Sequence, residues 1–121
     1  MSAEIRYARD AVEFATEERC HIVEIGNDAG DEQLSVARAR VEPGVTTAWH
    51  SLRGISERYL IIAGQGLVEV GDLEPAPVGP GDLVRIPPDV RQRITNTGNE
   101  QLVFYALCTP RFNAGAYLSL E

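Results

Sequence analysis

The stretch Ala48-Trp49-His50-Ser51-Leu52-Arg53-Gly54-Ile55-Ser56-Glu57-Arg58-Tyr59 joins two runs rich in β-branched and apolar residues. Before it stands Val45-Thr46-Thr47, and after it Leu60-Ile61-Ile62-Ala63. Runs of this kind, separated by a polar loop with a glycine, read as two strands and a turn. Alternate residues of a strand share a face. His50 and Leu52 therefore face one way, and Glu57, Tyr59 and Ile61 form the matching set on the next strand. If His50 points inward, the stretch offers an imidazole, a carboxylate and a phenol to one interior.

The same pattern continues in both directions. Cys20–Ile25 and Gln33–Val41 read as strands around the turn Gly26–Glu32. Val45–His50, Glu57–Ala63, Leu67–Val70, Leu83–Ile86, Arg91–Thr95 and Gln101–Cys108 follow, each bounded by Gly, Pro, Asn or Asp. That gives about eight strands at a spacing typical of a sandwich or barrel. Asp10–Arg19 is the one segment expected to form a turn or two of helix, with Asp10 as its cap. The fold class expected is all-β, in one domain spanning 1–121.

The chain has 121 residues, 44% hydrophobic and 24% charged, which suits one domain with one core. Its net charge of −7 argues against a phosphate backbone or an anionic membrane surface as partner. No basic start followed by an apolar run marks a secretory signal, and no apolar run is long enough to span a bilayer. Cys20 and Cys108 lie far apart, outside any CxxC spacing. They read as small buried side chains in a protein of the reducing cytoplasm.

Spacing narrows the fold further. Gly44, His50, Leu52, Glu57 and Gly64 fall in the order G-x5-H-x-L-x4-E-x6-G. Gly81, Pro87, Asp89, Gln92 and Asn96 fall in the order G-x5-P-x-D-x2-Q-x3-N. The pair resembles the two motifs of the cupin superfamily, G-x5-H-x-H-x4-E-x6-G and G-x5-P-x-G-x2-H-x3-N. Leu52 stands where the second histidine would be, Asp89 for a glycine, and Gln92 for the last histidine. The matching core covers 44–96. The resemblance implies a double-stranded β-helix, or jelly-roll barrel, open at one end. The three glycines fall where turns want positive φ, and Asp89 tolerates that region better than most residues.

The resemblance also implies that His50, Glu57 and Gln92 converge, with Leu52 in the fourth ligand place. They would hold one divalent transition metal ion: Fe, Mn, Ni or Zn. One nitrogen and two oxygen donors make a weaker set than three imidazoles and a carboxylate, with the amide oxygen the poorest donor. The alternative is a metal-free polar pocket, in which His50 and Glu57 pair and Gln92 satisfies the remaining polar atoms. His50 and Glu57 are then a candidate general acid and base, and Tyr59 a candidate donor to a substrate oxygen. The ligand expected is a small polar or anionic metabolite. The enzymatic readings are a dioxygenase, an isomerase or a lyase; the non-enzymatic reading is a ligand-binding or sensor module. Trp49 is expected to point away from His50, into the core or an interface. Arg38 and Arg40 share a face, solvated or turned inward as an anion clamp. His21 is expected to have no catalytic role. Apolar residues in both terminal segments, without a home in a small barrel, suggest a homodimer.

Overall fold

The computed structural model describes residues 1–121. Burial alternates along its long strands, which sets the architecture. On Leu102–Thr109 the side chains of Leu102, Phe104, Ala106 and Cys108 are buried and those between them are not. On Ser56–Ala63 the buried set is Glu57, Tyr59 and Ile61, and on Gln92–Asn96 it is Gln92, Ile94 and Asn96. Each of these strands presents one face to a common interior, so two sheets must close over it.

Eleven strands do so. They are β1 (Phe14–Ala15), β2 (His21–Gly26), β3 (Ser35–Val41), β4 (His50–Leu52), β5 (Ser56–Ala63), β6 (Gly66–Val70), β7 (Ala76–Val78), β8 (Leu83–Ile86), β9 (Gln92–Asn96), β10 (Leu102–Thr109) and β11 (Tyr117–Ser119). One sheet has six strands in the order β1-β2-β3-β10-β5-β8, and the other five, β11-β4-β9-β6-β7. Every ladder is antiparallel. The chain crosses between sheets, as a jelly roll requires, and the all-β double-stranded β-helix expected from the sequence is the fold observed. No helix is long and apolar enough to cross a membrane.

One end of the barrel is filled. Val41, Ile61, Ile94 and Leu102 are at most 1% exposed, and burial of such side chains stabilises by about 1.5–3 kcal/mol each. Asn96, last of the spaced motif residues, braces this end. Its Nδ2 donates to the carbonyls of Val41 at 2.8 Å and Glu100 at 2.7 Å, and its Oδ1 accepts from Gly98 N–H. Toward the other end a smaller cluster of Leu52, Ile55, Cys108 and Ala116 packs separately. A cavity lies beside it.

Two turn positions carry the spacing. Gly64 has φ +83°, and a Cβ there would lie 2.5 Å from the Gln101 carbonyl oxygen. Asp89, at φ 68°, occupies the left-handed region that the motif reserves for glycine. Its backbone N–H donates to Leu52 O at 3.0 Å and its Oδ1 accepts from Gly54 N–H at 3.2 Å. The side chain thereby stitches the β4–β5 turn to the loop before β9 through the Gly54 bond, which glycine could not make.

Two expectations are corrected. Asp10–Arg19 forms no α-helix: a single 3-10 turn covers Ala8–Asp10, and Phe14–Ala15 pairs with β2. Pairing at the sheet edge overrides a weak local preference. Thr16 then closes a tight return, with Oγ1 donating to Cys20 O at 2.9 Å and Arg19 at φ 70°. Val45–His50 is a strand only from His50 onward. Before it, Thr46 makes one bridge to Thr95, and the Thr47 hydroxyl accepts from Ile94 N–H at 3.0 Å.

Candidate functional site

The cavity has a volume of about 190 Å³. It is lined by residues of β2, β3, β4, β5 and β10, by the N-terminal return at Phe14–Cys20, and by Phe112. Strand alternation delivers His50 and Leu52 from β4 and Glu57 and Tyr59 from β5 to its lining.

His50 begins β4 and lies opposite Gln92 in the β4–β9 ladder. It is 4% exposed. Its ring stacks on Tyr117 of β11, with centroids 5.0 Å apart. Nδ1 lies 2.9 Å from the Ala48 carbonyl, which can only accept, so Nδ1 carries a proton. In the neutral ring Nε2 is then the basic nitrogen. It lies 3.9 Å from Oε2 of Glu18.

Glu57 is 8% exposed and has one oxygen, Oε1, without a hydrogen-bond partner. The other, Oε2, accepts from the Cys108 thiol at 3.7 Å. Burial pushes the carboxyl up to about 7, against the pull of His50 and the Gln92 side chain, and the Glu18 charge adds to the rise. Tyr59 is fully lodged in the core against Phe104, centroids 4.4 Å apart, and its hydroxyl donates to Oε1 of Gln92. Burial and the negative charge of Glu57 raise its phenol well above the ordinary range. His50, Glu57, Tyr59 and Gln92 are thus gathered in one region, with Leu52 beside them.

Spacing gave no sign of Glu18. It comes from the segment read as helical, and only the return at Thr16–Cys20 turns it inward. Its backbone carbonyl accepts from Ala48 N–H at 3.1 Å, which locks the return onto the approach to β4. Burial raises the Glu18 carboxyl and His50 opposes the rise. Cys108, read as packing alone, is buried but also serves Glu57; burial raises its thiol strongly. Cys20 is likewise buried, its thiol pushed up to about 11.

The other residues named in the sequence lie outside the cavity. Trp49 faces away from it, half-buried, with the guanidinium carbons of Arg93 and Arg91 at 4.2 and 5.1 Å from its ring centroid. Arg40 pairs with Glu13 and Glu42, and neither it nor Arg38 lines the cavity. His21 lies 3.8 Å from Glu42.

The donor set does not fit a transition metal ion. The Gln92 oxygen, the third donor implied by the resemblance, already accepts the Tyr59 hydroxyl. Leu52 offers no lone pair, and no three His, Cys, Asp or Glu side chains are grouped to hold an ion. One imidazole nitrogen and the carboxylates of Glu57 and Glu18 remain, each an acid or base as it stands.

A search of curated proteins finds no match. Solved structures do match in fold. PAC13 from Streptomyces, in a variant with uridine, superposes with a TM-score of 0.82 at 21% identity, over 100% of this chain and 93% of its own. Pac13 is described as a nucleoside dehydratase. KdgF from Halomonas sp. gives a TM-score of 0.81 at 13% identity, over 93% of this chain and 97% of its own. A double-stranded β-helix protein from Klebsiella pneumoniae gives 0.78 at 16% identity, over 99% of both chains. The cupin-domain family model matches residues 37–108, from β3 through β10 and across both spaced motifs, and the chain belongs to the cupin family.

Proposed function

We propose that this cupin binds a small organic molecule in the cavity and moves protons on it without a metal. His50 acts as base through Nε2, and Glu57 acts as acid. The observation that carries the reading is the pairing of a tautomer-fixed imidazole with a buried carboxyl whose Oε1 has no partner, both lining one cavity. A carboxyl held near 7 is close to evenly protonated at neutral pH, where an acid–base catalyst is most effective. Nε2 would take a proton from carbon, and Glu57 would give one to a departing hydroxyl, so that water leaves and the charges balance. This is lyase chemistry of the dehydratase kind, and the likeness to a nucleoside dehydratase supports it. Tyr59 acts through Gln92, since its hydroxyl is engaged there.

The test uses the chain's two histidines, of which only His50 lines the cavity. Neutral nucleosides, beginning with uridine, and simple sugars are titrated while the imidazole resonances of His50 and His21 are followed by NMR. Binding moves His50 and leaves His21. Ligands that bind are then incubated in deuterium oxide, where the base incorporates deuterium or releases water, and His50→Gln abolishes both. Binding without exchange or turnover would favour the ligand-binding module, and a His50 signal unmoved by every compound would sink the reading.

A further inference from the structure

The chain has no lysine, and none of its eleven arginines lines the cavity. Arg6, Arg19, Arg40, Arg93 and Arg111 are tied to carboxylates elsewhere. The cavity takes the opposite charge: Glu18, Glu24 and Glu57 line it, and His50 is the sole base among them. Within this acidic lining lies the orphaned Oε1 of Glu57, a buried acceptor with nothing donating to it. A buried acceptor so placed is costly until a ligand donates to it.

We propose that the ligand of this cavity carries an organic ammonium group, seated between Glu57 and Glu18, on a compact and largely apolar body. The proposal rests on the reading of the cavity as the ligand site, and deepens it by naming the ligand's charge. An ammonium gives Oε1 a charge-assisted hydrogen bond and offsets the carboxylates that line the cavity. A neutral hydroxyl supplies the bond without the charge, and a carboxylate ligand meets three like charges. A bare transition ion lacks the donors it needs. The rest of the lining suits the body of such a molecule: twelve of the twenty residues are hydrophobic, among them Ile22, Ala39, Phe104 and the half-exposed Phe14. A volume of about 190 Å³ is somewhat larger than the cavity of about 150 Å³ that takes benzene, so one ring and a short arm can enter.

The groups facing Glu57 are Glu18 from the N-terminal return, His50 from β4, Cys108 from β10, and Tyr59 and Gln92 from β5 and β9.

The test is a series matched in shape: phenethylamine, 2-phenylethanol and phenylacetate, titrated by calorimetry and by NMR on the full chain at one neutral pH. The amine is expected to bind at least tenfold more tightly than the alcohol and to move the His50 resonances. The acid is expected to show no binding. Glu57→Gln should abolish the advantage of the amine over the alcohol; if that variant fails to fold, Glu18→Gln should reduce it. If the alcohol moves His50 and the amine binds no better, or the acid binds as well as the amine, the charge proposal is overturned while the cavity remains a ligand site. If none of the three moves His50, and uridine and the sugars also fail, the cavity reading falls and takes this proposal with it.

Discussion

The Tyr59 hydroxyl donates to Oε1 of Gln92, joining β5 of the six-stranded sheet to β9 of the five-stranded one. Both residues are buried, at 4% and 1% exposure. The bond orients the amide and occupies its oxygen. Tyr59→Phe leaves that buried oxygen without its donor, which costs about 1–3 kcal/mol. Urea denaturation should show the loss as a lower midpoint with an unchanged slope. Replacing both partners, as Tyr59→Phe with Gln92→Met, should cost less than the two single changes added together. Simple additivity would mean that the two side chains are not coupled.

Glu57 makes stability depend on pH. Its carboxyl sits near 7 in the folded chain, against 4.5 as its ordinary value. A folded-state pKa above the unfolded one means that the folded form binds more protons between the two values. Stability is then full below about 4.5 and falls as the pH rises through about 7, after which it levels off. At about 1.36 kcal/mol per unit the loss is on the order of 3 kcal/mol, and Glu18, raised in the same direction, adds to it. Glu57→Gln should flatten most of this slope in denaturant titrations from pH 4 to 8. An unchanged slope would place the titrating group elsewhere.

Gly64 and Gly44 both have positive φ, +83° and +79°, yet they should not respond alike to alanine. A Cβ at Gly44 meets nothing within 4 Å, so the cost is the backbone strain of about 1–2 kcal/mol. A Cβ at Gly64 meets backbone of Gln101 at 2.5 Å and of Leu102 at 2.9 Å, neither of which can swing aside. Gly64→Ala should therefore destabilise by clearly more than Gly44→Ala in the same denaturation assay, and equal losses would contradict the packing described.

Spacing made the barrel legible because it fixes turns, and turns fix strand register. Gly44, Gly64, Gly81 and Asp89 all carry the positive φ that the spacing requires. It placed His50, Glu57 and Gln92 near one another because strand alternation leaves little freedom. It gave no access to Glu18, whose inward turn depends on the Thr16–Cys20 return and on a bond to Ala48, neither of which has a periodic signature. The acidic character of the cavity was hidden for the same reason. Acids and arginines are interspersed along the chain, which says nothing about which sign faces inward until the strands are paired.

Pairing with a second copy is proposed for the terminal segments. Ile5 and Val12 are 75% and 80% exposed, and Leu118 and Leu120 about half. The nearby strands β1 and β11 each lie at a sheet edge, with backbone groups free to pair. Light scattering at micromolar concentration should give twice the 13.2 kDa of the chain. Ile5→Glu with Leu118→Glu should return it to the single-chain mass, and a wild-type mass of one chain would end the proposal.

We propose that the spaced motifs still set the ligand geometry, with Leu52 and Gln92 at the two missing ligand places. Leu52 lines the cavity, and Gln92 lies across the ladder from His50. Leu52→His with Gln92→His should therefore build a four-ligand shell from these two imidazoles, His50 and Glu57. Each new imidazole replaces an absent donor or one already engaged, so Zn, Ni or Mn should bind far more tightly to the double variant than to the parent. Because the metal binds only the folded chain, it should also raise the melting temperature, increasingly with concentration. Without metal the variant should be less stable than the parent, since Leu52 leaves its cluster with Ile55, Cys108 and Ala116 and the Tyr59 bond is lost. His50→Ala in the same background should remove the gain, which separates a metal centre from adventitious surface binding. Thermal shift with and without metal, backed by calorimetric titration, makes the comparison. A double variant that folds and binds metal no better than the parent would mean that these four side chains do not share one centre.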